Sequence, residues 1–231
     1  MDGAGSGYYF NLIMIRLQNV KFTYPSKSQG KKFSLSVEEF SPGLCTAVMG
    51  DNGSGKTTLG KLAAGLLRPD SGFVSYNGQN IAKWKLGEIG QKVGYLFQEP
   101  LRQIFAPRVL EEITFPLTLG GMSKDAAEEK AWELIREFEL ENIANNTTYT
   151  LSRGEKQRLA IAAAMICNPQ FFVLDEPTTG LDKHRRSILA KALHRLMADN
   201  IGVLLISHDK AFVKELGAEV ILMDGGMLVE K

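Results

Sequence analysis

Residues 48–62 read Val-Met-Gly-Asp-Asn-Gly-Ser-Gly-Lys-Thr-Thr-Leu-Gly-Lys-Leu, and no other stretch limits the fold so sharply. Gly50, four variable residues, Gly55, Lys56 and Thr57 follow an apolar run, Cys45 to Met49, and lead into a segment that reads as a helix from Lys56 to Leu67. A strand must end there, the backbone must pass through conformations closed to most side-chain-bearing residues, and a helix must start. Loop N–H groups, the unpaired N–H groups of the first helical turn and the positive end of the helix dipole then converge on one point. That point suits a phosphate chain. The spacing predicts that Asn52, Gly53, Ser54, Gly55 and Thr58 cradle the phosphates of a nucleoside triphosphate. Lys56 reaches its β- and γ-phosphates and the Thr57 hydroxyl holds Mg²⁺. An ordinary glycine-rich turn accounts for the composition, but not for the strand before it together with the helix after it.

The rest of the chain predicts an α/β fold with a mostly parallel sheet. "IRLQNVKFTYP" (15–25) and "KFSLSVEEF" (32–40) alternate apolar with polar residues, as two antiparallel strands joined by a polar loop would. "SGFVSYNG" (71–78) reads as a short strand closed by Asn-Gly, and "EVILMDGGMLVEK" (219–231) as a hairpin about Gly225-Gly226. "VGYLF" (93–97), "FFVLD" (171–175) and "GVLLIS" (202–207) are short and almost wholly apolar, the pattern of parallel strands covered on both faces. A helix is expected from about 124 to 145, and a second from about Arg153 to Ile166. The layout is thus an antiparallel N-terminal piece, a parallel core, and a helical insert at roughly 100–165. Ligands of such sheets sit beyond the carboxyl ends of the strands. The glycine loop, Gln98, Asp175-Glu176 and His208 all fall there.

Net charge of +1 gives no electrostatic case for nucleic acid or an anionic surface. No apolar run approaches the roughly 18 residues of a membrane span. Residues 1–13 have neither the basic start nor the apolar centre of a secretory signal. They read as a disordered leader or an expression remnant, leaving 14–231 as a single domain. The two cysteines, Cys45 and Cys167, lie in apolar stretches and read as buried reduced thiols.

Two further stretches carry chemistry. In "FFVLDEPTTGLD", Asp175 and Glu176 end a buried strand: Asp175 is placed to support Mg²⁺ and Glu176 to polarise the water that attacks the γ-phosphate. In "LSRGEKQRLAIAAAM", Ser152 and Glu155 form the pattern of a capping box, and a helix start so capped also suits a second anion contact through Ser152 and Gly154.

In order and spacing these motifs resemble the nucleotide-binding subunit of an ATP-binding-cassette (ABC) transporter, over nearly the whole chain from about residue 15. The resemblance implies ATP as the nucleotide, with Tyr24 stacking on adenine. Gln98 becomes the glutamine of the loop that joins metal and water, "LSRGE" the signature, "VLDEP" the Walker B strand, Asp182 part of the loop after it, and His208 the residue that bonds the γ-phosphate. It also implies two such subunits facing head to tail, each ATP held between one glycine loop and the opposite Ser152 and Gly154. The usual L-S-G-G-Q is altered here: Arg153 and Glu155 stand where glycine and glutamine are usual.

Residues 96–115, with Gln98, Pro100, Gln103 and "VLEEI", further resemble the energy-coupling-factor and cobalt-type importer ATPases. That implies uptake of vitamins or of nickel and cobalt ions, with an integral membrane component and a substrate-capture membrane protein as partners. The chain would then sit peripherally on the cytoplasmic face of the membrane. The alternatives are a non-transport ABC ATPase acting on ribosomes or DNA, and a different P-loop GTPase or kinase, although the guanine-reading N-K-x-D is absent.

Overall fold

A computed structural model describes residues 12–25 and 32–230, with the side chain of Glu230 excepted. The expected leader up to residue 11 and the polar loop at 26–31 lie outside the described residues. Ile13, assigned to that leader from sequence, is in fact buried in the core. The Leu12 carbonyl and the Met14 N–H both bond the Asn77 side chain.

Two sheets organise the chain. The first is antiparallel, in the order β2-β1-β4-β5, with β1 at Ile15–Thr23, β2 at Lys32–Phe40, β4 at Ser71–Tyr76 and β5 at Gln79–Asn80. The second runs β10-β9-β3-β8-β7-β6. Its members are β3 (Cys45–Met49), β6 (Val93–Leu96), β7 (Phe171–Asp175), β8 (Gly202–Ile206), β9 (Glu219–Asp224) and β10 (Met227–Glu230). All neighbours in it are parallel except the terminal β9–β10 hairpin.

Every residue of β7 and β8 is buried, and the reason is visible in how they alternate. Phe171 and Val173 enter one apolar core with α1 (Lys56–Ala63) and the antiparallel sheet. Phe172 and Leu174 enter the other core, with the remaining helices. A strand with a core on each face has no side chain left to be polar. The helical layer between β6 and β7 comprises α3 (Val109–Leu119), α4 (Lys124–Glu137) and α5 (Arg153–Met165). The short α2 (Leu86–Gly90) precedes β6. Helix α6 (Lys183–Ala198) joins β7 to β8, and α7 (Lys210–Glu215) joins β8 to β9.

Three expectations need correction. Helix α1 stops at Ala63 rather than Leu67: Gly65 turns left-handed, and Leu66 N–H and Gly65 N–H bond back to the Lys61 and Leu62 carbonyls. The helix begun at Lys124 stops at Glu137 rather than near 145, by the same pair of closing bonds, Leu140 to Ile135 and Glu139 to Arg136. Here Glu139, not a glycine, adopts the positive φ. The third concerns the thiols. Both are free, and Cys45 is buried, which pushes its thiol up to about 12, but Cys167 is exposed.

Candidate functional site

The carboxyl ends of β3, β6, β7 and β8 and the N-terminus of α1 face one cleft of about 660 Å³. Among its lining residues are Asn52, Gly53, Gly55, Lys56, Thr57 and Thr58 from the glycine loop and α1. Tyr24 lies on one side, and Gln98, Asp175 and Glu176 on the other. The sequence reading missed a further wall, made by Lys32, Phe33 and the Gly225-Gly226 turn. The Gly226 carbonyl accepts from Ser34 N–H and its N–H donates to the Ser54 carbonyl, so the hairpin is stitched to the loop.

Loop geometry follows from its neighbours. Gly50 has φ +143°, and a Cβ there would stand 2.1 Å from the Met223 carbonyl oxygen of β9. Only glycine lets the chain leave β3 this close to the next strand. At the start of α1 no side chain caps the helix, so its first-turn N–H groups are open to an anion, as a phosphate site requires. Lys56 folds over the loop, its Nζ donating to the Gly50 and Asp51 carbonyls at 2.8 Å each. Ser54 is buried, and its hydroxyl oxygen has no hydrogen-bond partner among the described residues.

The acidic side is equally specific. Thr57 Oγ1 donates to Asp175 Oδ2 at 2.8 Å, with the Tyr95 hydroxyl 3.4 Å from the same oxygen. Asp175 Oδ1 is buried without a partner among the described residues. Burial raises the Asp175 pKa above the ordinary carboxylate range, Thr57 pulls it down, and the charge of Glu176 adds to the rise. A buried carboxylate with one free oxygen, beside a threonine hydroxyl, suits a divalent cation in chemistry and in charge. Glu176 is buried, in the left-handed region at φ +52°, and its N–H bonds the Ile206 carbonyl. His208 Nδ1 lies 2.9 Å from Glu176 Oε2, close but not aligned as a hydrogen bond. The His208 side chain is 78 % exposed. Tyr24 is partly exposed, packs edge-on against Phe22, and its hydroxyl meets Thr58 Oγ1 at 3.3 Å.

Ser152 and Gly154 are not among the residues lining this cleft. The capping box is present: Ser152 Oγ accepts from Glu155 N–H at 3.3 Å, and Glu155 Oε2 accepts from Ser152 N–H at 2.7 Å. The Ser152 side chain and the Ser152 N–H, both bonding the Glu155 carboxyl, hold it below its ordinary pKa. Gly154 is packed so that a Cβ would be 2.9 Å from the Gly180 carbonyl oxygen. Arg153 projects beside Gly180 into a smaller recess it shares with Thr57, Gln98 and Asp175. Asp182 caps α6 through Arg185 N–H and pairs with the Arg185 guanidinium.

A glycine loop at the carboxyl ends of a parallel sheet, leading into an uncapped helix start, with a buried aspartate and glutamate facing the same cleft, defines a P-loop nucleotide-binding fold. Residues 32–179 match the ABC transporter family, and the chain belongs to it. It binds ATP and hydrolyses it, as the ATP-binding subunit of a transporter. A protein of Pyrococcus abyssi named as an ABC transporter ATP-binding protein is 38% identical over 92% of this chain and 81% of its own length. The energy-coupling factor transporter ATP-binding protein EcfA of Methanothermobacter thermautotrophicus is 35% identical over 94% of this chain and 70% of its own. Among solved structures, the dimeric ATP-binding cassette MJ0796 in a post-hydrolysis state with ADP and Pi superposes with TM-score 0.83, at 28% identity over 93% of this chain and 96% of that one. CbiO1 of Clostridium perfringens, part of the transporter complex cbiONQ, gives 0.78 at 26% identity over 93% and 86%. Among the described residues no helix is long and apolar enough to cross a membrane.

Proposed function

We propose that the chain powers an importer of the energy-coupling-factor class, taking up vitamins or cobalt and nickel ions. The observation that supports this is the segment after Gln98. Pro100–Arg102 forms a single 3₁₀ turn that sets Leu101 and Phe105 outward, and Phe105 stacks edge-on with Phe115 of α3 at 4.7 Å. Leu119, one turn beyond Phe115 on α3, is exposed as well, and exposed apolar side chains of this kind near the glutamine loop suit contact with an integral membrane component. The same segment resembles EcfA- and CbiO-type ATPases in sequence.

In this reading Tyr24 stacks on adenine, and Asn52, Gly53, Ser54, Gly55 and Thr58 cradle the phosphates. Lys56 exchanges its loop carbonyls for phosphate oxygens. Thr57, Asp175 and Gln98 would hold Mg²⁺, which would supply neutralisation of the triphosphate's negative charge. Glu176 accepts the proton of the attacking water, and the exposed His208 turns from Glu176 to bond the γ-phosphate. A second subunit presents its own Ser152 and Gly154 to that phosphate. ATP closes the pair and hydrolysis opens it, because the closed form binds the triphosphate more tightly than the products.

Isolation of the tagged chain from detergent-solubilised membranes tests the assignment. A second ATP-binding subunit, an integral membrane component and a substrate-capture membrane protein are expected in the complex. Recovery with ribosomes, and without membrane proteins, would refute it.

A further inference from the structure

Gln103 sits half-buried between the glutamine loop and the helical layer. Its Oε1 accepts from the N–H of Phe97, the residue before Gln98, at 2.9 Å. Its Nε2 donates to the carbonyl of Ala160, in the middle of α5, at 3.1 Å. Both partners are main-chain groups of fixed polarity, so the amide has one sensible orientation. The loop beyond is pinned to the same layer. Buried Glu112 of α3 accepts through Oε2 from Phe105 and Ala106 N–H, at 3.0 and 2.7 Å, and Thr148 Oγ1 donates to the Ala106 carbonyl at 2.8 Å.

We infer that Gln103 is a positioning residue that makes the Gln98 loop and the signature helix move together. The inference rests on the ATP-driven dimer proposed above. Ser152 and Gly154 stand at the start of α5, and Ala160 lies two turns further along the same helix. A helix of this length, on the order of 20 Å, transmits displacement as a rod. When Gln98 advances on the metal and γ-phosphate, Phe97 follows, and the Gln103 amide draws Ala160 and with it the signature. The geometry thereby ties the chain's own nucleotide to the surface it offers its partner's nucleotide.

Two variants separate this link from simple support. Gln103→Ala removes both bonds. Gln103→Glu keeps size and the acceptor for Phe97 but has no N–H for Ala160, so it cuts only the arm to α5. Three quantities are read: Kd for a fluorescent ATP analogue on the single subunit, kcat and KM of the assembled complex, and ATP-driven dimer formation in a Glu176→Gln background. Both variants are expected to bind nucleotide within about twofold of wild type and to keep KM within about threefold. Their kcat should fall about tenfold or more, and dimer formation should need about tenfold more protein. A kcat within twofold of wild type, or nucleotide affinity falling in step with kcat, overturns the inference. Should the alanine variant melt early, Gln103→Glu decides the matter. A wild-type complex inert toward ATP sinks the functional reading and this link with it, whereas an active wild type with equally active Gln103 variants sinks the link alone.

Discussion

Arg158 offers the sharpest test of how the helical layer is held. It belongs to α5 and is buried, and its guanidinium donates from one nitrogen to the carbonyls of Phe138 and Glu139 at 2.6 Å each. Those carbonyls end α4, where Glu139 has turned left-handed. Arg158→Met keeps most of the volume and removes both bonds. Hydrogen bonds to a charged group are worth about 1.5–3 kcal/mol each, so the gross loss is about 3–6 kcal/mol. Part is recovered, because burial already penalises the guanidinium and lowers its pKa, and its Nε has no partner among the described residues. The net destabilisation should be about 2–4 kcal/mol. For a chain of this size that lowers the melting midpoint by roughly 4–15 °C. Differential scanning calorimetry of the wild type and variant at neutral pH measures it directly. A midpoint within about 1 °C of wild type would refute the claim that this arginine staples α4 to α5.

Three other substitutions probe the cleft and its supports. Glu176→Gln should leave ATP affinity near wild type, lower kcat about 10²- to 10⁴-fold and let an ATP-bound dimer persist in size-exclusion chromatography; ordinary turnover would remove Glu176 from the chemistry. Tyr24→Ala should weaken ATP binding about 5- to 150-fold by calorimetric titration, as loss of base stacking worth ~1–3 kcal/mol requires, while Tyr24→Phe stays close to wild type. Burial raises the Glu112 pKa above that of an ordinary glutamate, against the pull of Ala106 and Phe105 N–H. A raised carboxyl contributes stability that is complete at low pH and lost as pH rises through its folded value. Glu112→Gln should therefore gain on wild type, in melting midpoint, as pH is raised from about 4.5; parallel curves would contradict it.

Much of this architecture was legible because its causes are local. The glycine loop declares itself through residues within one strand-turn-helix, and β7 and β8 through unbroken apolar runs that only a sheet covered on both faces demands. The capping box of α5 lies within four residues. What stayed hidden depends on distant partners. Helix α3 contains Pro116, which argues against a helix until its packing on α4 and α5 is known. The end of α4 is marked by a glutamate in a conformation usually left to glycine, so Phe138 and Leu140 looked like more of the same apolar face. Gln103 finds Ala160 at 57 residues' separation, and nothing in its neighbours announces that. The hairpin wall at Gly225-Gly226 was seen as a turn, but its stitch to Ser54 arises only when β9 pairs beside β3. Cys167 sits among apolar residues in sequence, yet the chain leaves α5 there and turns it outward.

The position of β3 has a mechanical meaning. It lies inside the second sheet, bonded along both edges to β8 and β9, so any pull exerted through the phosphates spreads at once into strands on either side. The helical layer has no such lattice and is held to the sheet through side chains, by the apolar core that Phe172 and Leu174 enter and by polar links such as that of Gln103. On the proposed reading, when a spent molecule is swapped for a fresh one, the half held by main-chain bonds is expected to stay put and the half held by packing to shift.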